Sequence, residues 1–589
     1  MTTVVHVTHE AVHKVGGIGA VLTGLLTTES CRRAVERTIL VGPLIERPGS
    51  EALGPEGTLL HDSRNGVRSD TAGEALSRVE ARRGVRLLYG RRRLRCPDGA
   101  AVEPEVLLVD VEGGAPQGLD LFKHQLYQAF GLASDRYEGE WEYELYVRLA
   151  EPAYEAAIAL LGDRRGRPLH ILAHEFMGLP TAFKALLANE SGVYTLFYAH
   201  EVATARRLVE RGRGGDARFY GALRSAPLSG SFVEDVFGPQ DDFFKHALIS
   251  RAWRCHAVLA VGDLVVEELR FLGREFAGLE IDRVYNGLPP PPALAPADRR
   301  RARESLAELI ESLLGCRPRG VFTHVGRLVP SKGFWRDLQV LEGLEAVAPP
   351  STGPWALIVL ATDAEPRPSE AVAAMRAEYG WPIAHREGPP DLTPGELGFD
   401  LRVRDHNARS RRTKVVFFNQ FGFDAGSTGG AVPPGMGLED LRRGSDAEFG
   451  LSTYEPFGIA QVEALAFGAL SVVSDACGCV GFLRQATAPG KPATHVCGGY
   501  TLRGGAGPAE GADPAAFLDL DDGFLEAGER ACGAAVASAL ADALPTSDAE
   551  GERLLEAGHE AASGMGWERI VAGRFLPVLR RLEKAGSAR

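Results

Sequence analysis

Ser452-Thr453-Tyr454-Glu455-Pro456-Phe457-Gly458-Ile459-Ala460-Gln461-Val462-Glu463-Ala464-Leu465 sets two carboxylates around a proline and a glycine. Pro456 keeps the residue before it out of helix, and Gly458 permits close backbone approach. The apolar run from Ile459 predicts a helix opening at that turn. Glu455 then stands just outside the helix's positive end, at an anion site. If every step were helical, Glu455 and Glu463 would lie roughly 12 Å apart at about 1.5 Å per residue. The plainer alternative is an ordinary acidic helix start. Ser471-Val472-Val473-Ser474-Asp475 follows as a short buried strand. The whole reads as a loop–helix–strand unit of an α/β sheet, in which ligands gather at strand ends.

The span suits one carboxylate on the hydroxyls of a sugar, a diphosphate at the helix start and the second carboxylate on a ribose. A chain of 589 residues is too long for one core and predicts at least two domains. Hydrophobic content of 45% and charged content of 24% are those of a globular protein. The net charge of −13 disfavours nucleic acid or an acidic membrane as partner. The short basic runs Arg91-Arg92-Arg93 and Arg409 to Lys414 read as solvated loops. The N-terminal residues lack a charged segment followed by a long apolar core, and no run of about 18 apolar residues occurs. Cys477-Gly478-Cys479 has the wrong spacing for a CxxC motif, so reduced thiols and a cytoplasmic chain are expected.

Thr3 to Thr8 reads as a buried strand, followed by His13-Lys14-Val15-Gly16-Gly17-Ile18-Gly19 opening a helix. Backbone N–H groups in such a loop cradle phosphates, and Lys14 adds a cation; a tight turn is the alternative. Residues 43–105 predict irregular connections with strands near Val85–Tyr89 and Val106–Val109. The aromatics Phe122, Tyr127, Phe130, Tyr137, Trp141, Tyr143 and Tyr146 suit a core stripe, or stacking on sugar rings. Two further strands end at His174 and His200. The prolines of Leu288–Pro296 mark a stiff boundary. After it a charged helix covers about 297–315. The strand Val321–Gly326 then delivers Arg327 and Lys332 into a loop before a helix over Phe334–Leu344, cations suited to a diphosphate, with a solvated loop as the alternative. Further helices are expected near 369–379 and from Gly566 to about Lys584. Asp519-Leu520-Asp521-Asp522 reads as an exposed acidic turn.

The stretch at 452–465 resembles the E-x7-E motif of retaining nucleotide-sugar glycosyltransferases with the GT-B fold. It is most similar to the glycogen and starch synthases, in which Tyr-Glu-Pro-x-Gly precedes a second Glu. Gly326-Arg327 to Lys332-Gly333 resembles their Gly-Arg-x4-Lys-Gly, and Val284-Tyr285-Asn286-Gly287 their Val-x-Asn-Gly. Lys14-Val15-Gly16-Gly17-Ile18 is nearer to the animal and fungal type; the bacterial pattern has Gly-Asp where Gly19-Ala20 stands. Ala173-His174-Glu175-Phe176 looks like their His-x-His-(Asp/Glu)-Trp block with Phe for Trp, while Glu201 is not the usual follower of His200.

The alternating strand and helix signals, and separately the resemblance, imply α/β architecture: two doubly wound Rossmann-like domains facing across a deep cleft. The expected boundaries are 1–290, 291–565, and a terminal helix, 566–589, crossing back to the first domain. The resemblance implies transfer of glucose, with retention, from ADP- or UDP-glucose to the non-reducing end of an α-1,4-glucan such as glycogen. Glu455, His174, Lys332 and Arg327 are the implied catalytic residues. Lys14, Gly16, Gly17, His200, Gly458, Ile459 and Glu463 are the implied substrate-binding residues. No metal or other cofactor is expected, and the nucleotide and oligomeric state stay open. A different polysaccharide or small-glycoside synthase, or a non-catalytic glucan-binding relic, are the alternatives.

Overall fold

In the computed structural model the β-branched run Thr2–Val7 forms β1, the central strand of the first of two large sheets, which a two-stranded pair accompanies. Described residues are 2–13, 16–45, 52–54, 56–68, 70–162, 164, 166–348, 353–487, 490–501, 507–508 and 511–587. The chain divides into two compact units. One comprises Met1–Ala205, Ser231–Pro289 and Gly566–Arg589, and the other Arg206–Gly230 with Pro290–Met565.

The first unit holds β1, β2 (Val35–Pro43), β3 (Gly57–Asp62), β4 (Val67–Arg68), β5 (Arg86–Arg92), β6 (Leu94–Arg95), β7 (Ala101–Val102), β8 (Glu105–Asp110), β9 (Leu169–His174), β10 (Val193–Ala199), β11 (Ala257–Ala260) and β12 (Ile281–Arg283). Ten of them form a sheet in the order β12-β11-β10-β9-β1-β2-β8-β5-β3-β4. From β12 to β8 the pairing is parallel, whereas β8–β5, β5–β3 and β3–β4 are antiparallel. The chain winds outward from β1 through β2 and β8, then returns to β9 on the other side, so the winding reverses between β1 and β9. Ligands of such sheets bind outside the strand ends at that point. The strand pair expected near Val85–Tyr89 and Val106–Val109 forms as β5 and β8, while the rest of 43–105, expected as irregular connections, also supplies β3, β4 and a helix over Asp70–Arg83.

The second unit holds β13 (Gly320–Arg327), β14 (Trp355–Thr362), β15 (Thr413–Phe418), β16 (Ala447–Gly450), β17 (Leu470–Ser474) and β18 (His495–Gly498), all parallel in the order β15-β14-β13-β16-β17-β18. Its reversal lies between β13 and β16. The strands are almost wholly apolar because helices cover both faces, as a parallel sheet requires. Phe322, Leu357, Val359 and Phe449 point into one core and Val321, Ile358, Leu360 and Phe418 into the other.

Residues 206–230, expected in the first domain, belong to the second unit. The helix Gly215–Ser229 docks there through buried Asp216, which accepts from Arg336 Nη2 at 2.6 Å. Gly221 in that helix lies so close to Phe517 that a Cβ would stand 2.2 Å from the ring. The C-terminal segment belongs to the first unit, seated by Trp567. Cβ atoms added at Gly24 and Gly287 would stand 2.1 and 2.7 Å from it, so only glycine fits beneath the indole. Among the described residues no helix is long and apolar enough to cross a membrane.

Candidate functional site

Two sets of residues gather at the reversal points, one in each unit. In the second unit, β13 ends at Arg327 and the chain turns through Pro330–Lys332 to Gly333, whose φ of 69° opens the helix Phe334–Val347. A side chain at Gly333 would be strained at that φ, and its Cβ would stand 2.2 Å from the Leu451 carbonyl oxygen. This bare glycine lets the loop after β13 lie directly on the loop after β16. The two are joined by backbone: the N–H groups of Thr453 and Tyr454 donate to the Ser331 carbonyl at 2.8 and 3.3 Å.

Across this seam the Lys332 ammonium forms an ion pair with the Glu455 carboxylate. Two residues expected at the site are thereby brought together, both mostly shielded from water, with side chains 25% and 12% exposed. Glu455 is held from behind as well. Its N–H donates to the Ala476 carbonyl at 3.4 Å, and its carbonyl accepts from Gly478 N–H at 2.8 Å. Gly478 is obligatory there, since a Cβ would stand 1.7 Å from the Pro456 oxygen. Arg327 is exposed, and its side chain has no hydrogen-bond or ion-pair partner among the described residues.

The helix expected from Ile459 opens after the turn, with Glu455 outside it, so the eight steps from Glu455 to Glu463 are not all helical. Glu455 pairs in a β-bridge with Cys477, and regular helix covers only Ile459–Glu463, after Gly458 at φ 91°. Pro456 and the packing of Gly458 keep the first half extended: a Cβ on Gly458 would stand 2.7 Å from Cys477 Sγ. Glu463 is already engaged by Arg442, on the helix Leu438–Gly444. The Cys477 and Cys479 thiols, buried 3.4 Å apart, line this loop, and the hydrogen bond with Cys477, together with burial, pushes Cys479 well above the ordinary thiol range.

Arg336, buried on the helix after Gly333, underpins the loop. Its Nη1 donates to the carbonyls of Leu451 and Ser452 at 3.3 and 3.2 Å, and its Nε to Glu529 at 2.7 Å, with Asp216 on Nη2. The flanking carboxylates raise its pKa above the usual guanidinium value despite burial. Neither Arg336 nor Arg442 was singled out from the sequence. Their partners lie more than a hundred positions away or on another element, so no local spacing marks them.

In the first unit the glycine loop is answered from within the chain. The Gly16 and Gly19 N–H groups donate to the two oxygens of buried Glu10, at 3.0 and 2.8 Å. Those two donors are therefore spoken for by Glu10, which corrects the expectation that they point at a phosphate. Gly17 stays exposed, with open space around it. Lys14 lies outside the described residues.

His174 ends β9 and His200 follows β10, as the sequence pattern predicted, but they do not stand apart. His6 Nδ1 lies 3.0 Å from His174 Nε2, and His174 Nδ1 lies 2.9 Å from His200 Nε2. The three rings stack pairwise, 5.3 and 5.2 Å between centroids. His6 and His174 are buried and His200 is half-buried. Burial pushes His6 and His200 down to about 3, and burial with the two flanking imidazoles takes His174 well below the histidine range, so all three are neutral near pH 7. With both nitrogens engaged, His174 has none left for a ligand, and His200 ends the row. Glu175 fixes His200 in place: its carboxylate accepts from the N–H groups of His200 and Glu201, the latter at 2.6 Å. Glu175 holds φ 58°, a strained value for a residue with a Cβ.

The aromatic stripe is mostly core. Phe122, Tyr137, Tyr143 and Tyr146 are buried, while Tyr127 and Trp141 are 59% and 47% exposed. Asp521 caps the helix Asp522–Ala543, accepting from Phe524 N–H at 2.9 Å.

The sequence matches no protein-family model and no curated protein. Solved structures do match over the full length. The starch synthase IV catalytic domain from Arabidopsis thaliana, bound to ADP and acarbose, is 13% identical with a TM-score of 0.50, covering 100% of both chains. A UDP-forming α,α-trehalose-phosphate synthase from Burkholderia vietnamiensis is 13% identical with a TM-score of 0.50, covering 98% of each chain. An α,α-trehalose 6-phosphate synthase from Burkholderia multivorans is 14% identical at the same TM-score, covering 100% of this chain and 98% of its own. The chain has the GT-B fold, two Rossmann-like α/β units.

Proposed function

We propose that the protein is a retaining glucosyltransferase that moves glucose from ADP-glucose or UDP-glucose to the non-reducing end of an α-1,4-glucan. The observation that carries this reading is the Lys332–Glu455 ion pair at the reversal point of the second sheet, with Arg327 exposed on the same loop. A nucleoside diphosphate gains negative charge as its bond to the sugar breaks. Arg327 offers it a planar fork and Lys332 a point charge. Lys332 exchanges Glu455 for the diphosphate, and the released carboxylate turns to the hydroxyls and growing positive charge of the sugar. Glu463, oriented by Arg442, takes the ribose. Gly458 and Ile459 bring backbone close to the phosphates.

In the first unit Lys14 and Gly17 supply a further cation and exposed backbone, and His200 meets the sugar. His174 acts through His200. Leaving group and acceptor share one face of the sugar, so no protein nucleophile is needed, and the fixed cations make a metal unnecessary. The partners are a nucleotide-sugar donor and a glucan, in the cytoplasm, with neither nucleic acid nor membrane.

The fold likeness to a starch synthase bound to ADP and acarbose supports this reading. The equal likeness to trehalose-phosphate synthases favours, as a second reading, transfer to a small sugar. Incubation with radiolabelled ADP-glucose and UDP-glucose in parallel tests the proposal, with glycogen and then small sugars as acceptors. Label in glycogen supports it, label only in small sugars selects the second reading, and label in neither rejects both.

A further inference from the structure

The row His6–His174–His200 crosses three neighbouring strand ends, β1, β9 and β10, and its hydrogen-bond arithmetic is closed. Each neutral imidazole carries one N–H, and each of the two N···N contacts needs one proton between its nitrogens. If His6 carries its proton on Nδ1, it donates to His174 Nε2. His174 must then hold its own on Nδ1 and donate to His200 Nε2, which leaves His200 with Nδ1–H. If His6 carries its proton on Nε2, each donation runs the other way and His200 shows a bare Nδ1. Only these two states satisfy both contacts, and all three rings share one tautomer in each.

We propose that His6 is a positioning residue for this site, setting the tautomer of His174 and through it whether His200 presents Nδ1 as donor or acceptor. A half-buried His200 that donates in one state and accepts in the other would discriminate the hydroxyl geometry offered to it. The stacking of the three rings, with Tyr198 tilted against His200 at 4.4 Å between centroids, keeps the imidazoles aligned. The catalytic consequence rests on the proposed function; the tautomer coupling does not.

Long-range 1H–15N NMR of the histidine rings in the full-length protein without ligand reads the coupling directly. His174 and His200 should show the same tautomer. Opposite tautomers, or either ring protonated at pH 7.5, would overturn the inference even if no variant were made. His6→Asn, whose amide can occupy the Nδ1 position, should keep the wild-type pattern. His6→Val, which suits a strand but makes no bond, should give mixed tautomers at His174 and His200. In a glucosyl-transfer assay His6→Val should lower kcat about tenfold, roughly one lost hydrogen bond's worth, with KM for the donor nearly unchanged and His6→Asn restoring most of the rate. A folded His6→Val protein with unmixed tautomers contradicts the proposal. If it does not fold, the wild-type tautomers decide. Absence of transfer by the wild type would reject the proposed function and leave the NMR result standing.

Discussion

Lys332 and Glu455 form an ion pair although 123 positions separate them, because the loops after β13 and β16 lie side by side at the reversal of the second sheet. In the proposed reaction the pair is a stored charge separation: the cation is ready for the leaving group and the carboxylate for the sugar.

Replacing Glu455 by Gln keeps the shape and removes the charge that would balance the sugar. Turnover of Glu455→Gln should fall at least about a hundredfold, as when a preorganised electrostatic group is lost. Steady-state rates on a variant with an unchanged circular dichroism spectrum check this. Near-normal turnover would remove Glu455 from the chemistry.

Arg327 and Lys332 should both matter for free nucleoside diphosphate. Arg327→Ala gives up an exposed guanidinium with no partner among the described residues, so its loss should appear in binding with little effect on stability. Lys332→Ala also leaves Glu455 unpaired and should lower thermal stability as well. Titration calorimetry with ADP and UDP should show affinity reduced about tenfold or more in each variant, some 1.4 kcal/mol. Unchanged binding in both would place the diphosphate elsewhere.

The leaving-group account uses fixed cations, so activity should survive chelation. After extensive dialysis against EDTA the rate should stay within about twofold of the untreated enzyme, a barrier change under roughly 0.5 kcal/mol. Activity that vanished and returned with magnesium or manganese would make Asp519 and Asp521 the next residues to test.

The histidines also predict a pH effect on stability. Burial depresses His6 and His200 to about 3 and His170 to about 4. Between these values and the unfolded value of about 6.5, the unfolded chain binds the protons that the folded chain refuses. Stability is therefore full above about pH 6.5 and falls as pH drops toward the folded values. Each such histidine adds about 1.4 kcal/mol per pH unit to the slope. Denaturant unfolding of His6→Asn between pH 6 and 4 should show a slope smaller by about that amount. An unchanged slope would mean that His6 is not held neutral.

Much of the second unit was legible in the sequence because its signals are local. The apolar run into Arg327, the glycine before Phe334 and the helix at 369–379 all depend on neighbours within a few residues. The helix Pro394–Arg409 carried a readable signal in Thr393-Pro394-Gly395-Glu396, a capping box that the polarity of the surrounding region obscured. The site's finer wiring was not legible. His6 meets His174 across 168 positions, and that contact exists only because β1 and β9 are neighbours, a fact of strand order rather than of spacing. Glu10 filling the glycine loop and Arg442 holding Glu463 are likewise side-chain choices that no periodicity encodes.

The central claim, retaining transfer of glucose from a nucleotide donor, is tested most directly by NMR of the product formed from 1-13C-labelled donor. ADP-glucose and UDP-glucose are each incubated with glycogen, and the labelled anomeric signal is followed. The account predicts growth of an α-1,4-glucosyl signal with at least one donor, matched by release of the nucleoside diphosphate. A β-linked product, or donor signals that persist unchanged with both nucleotides, would contradict it.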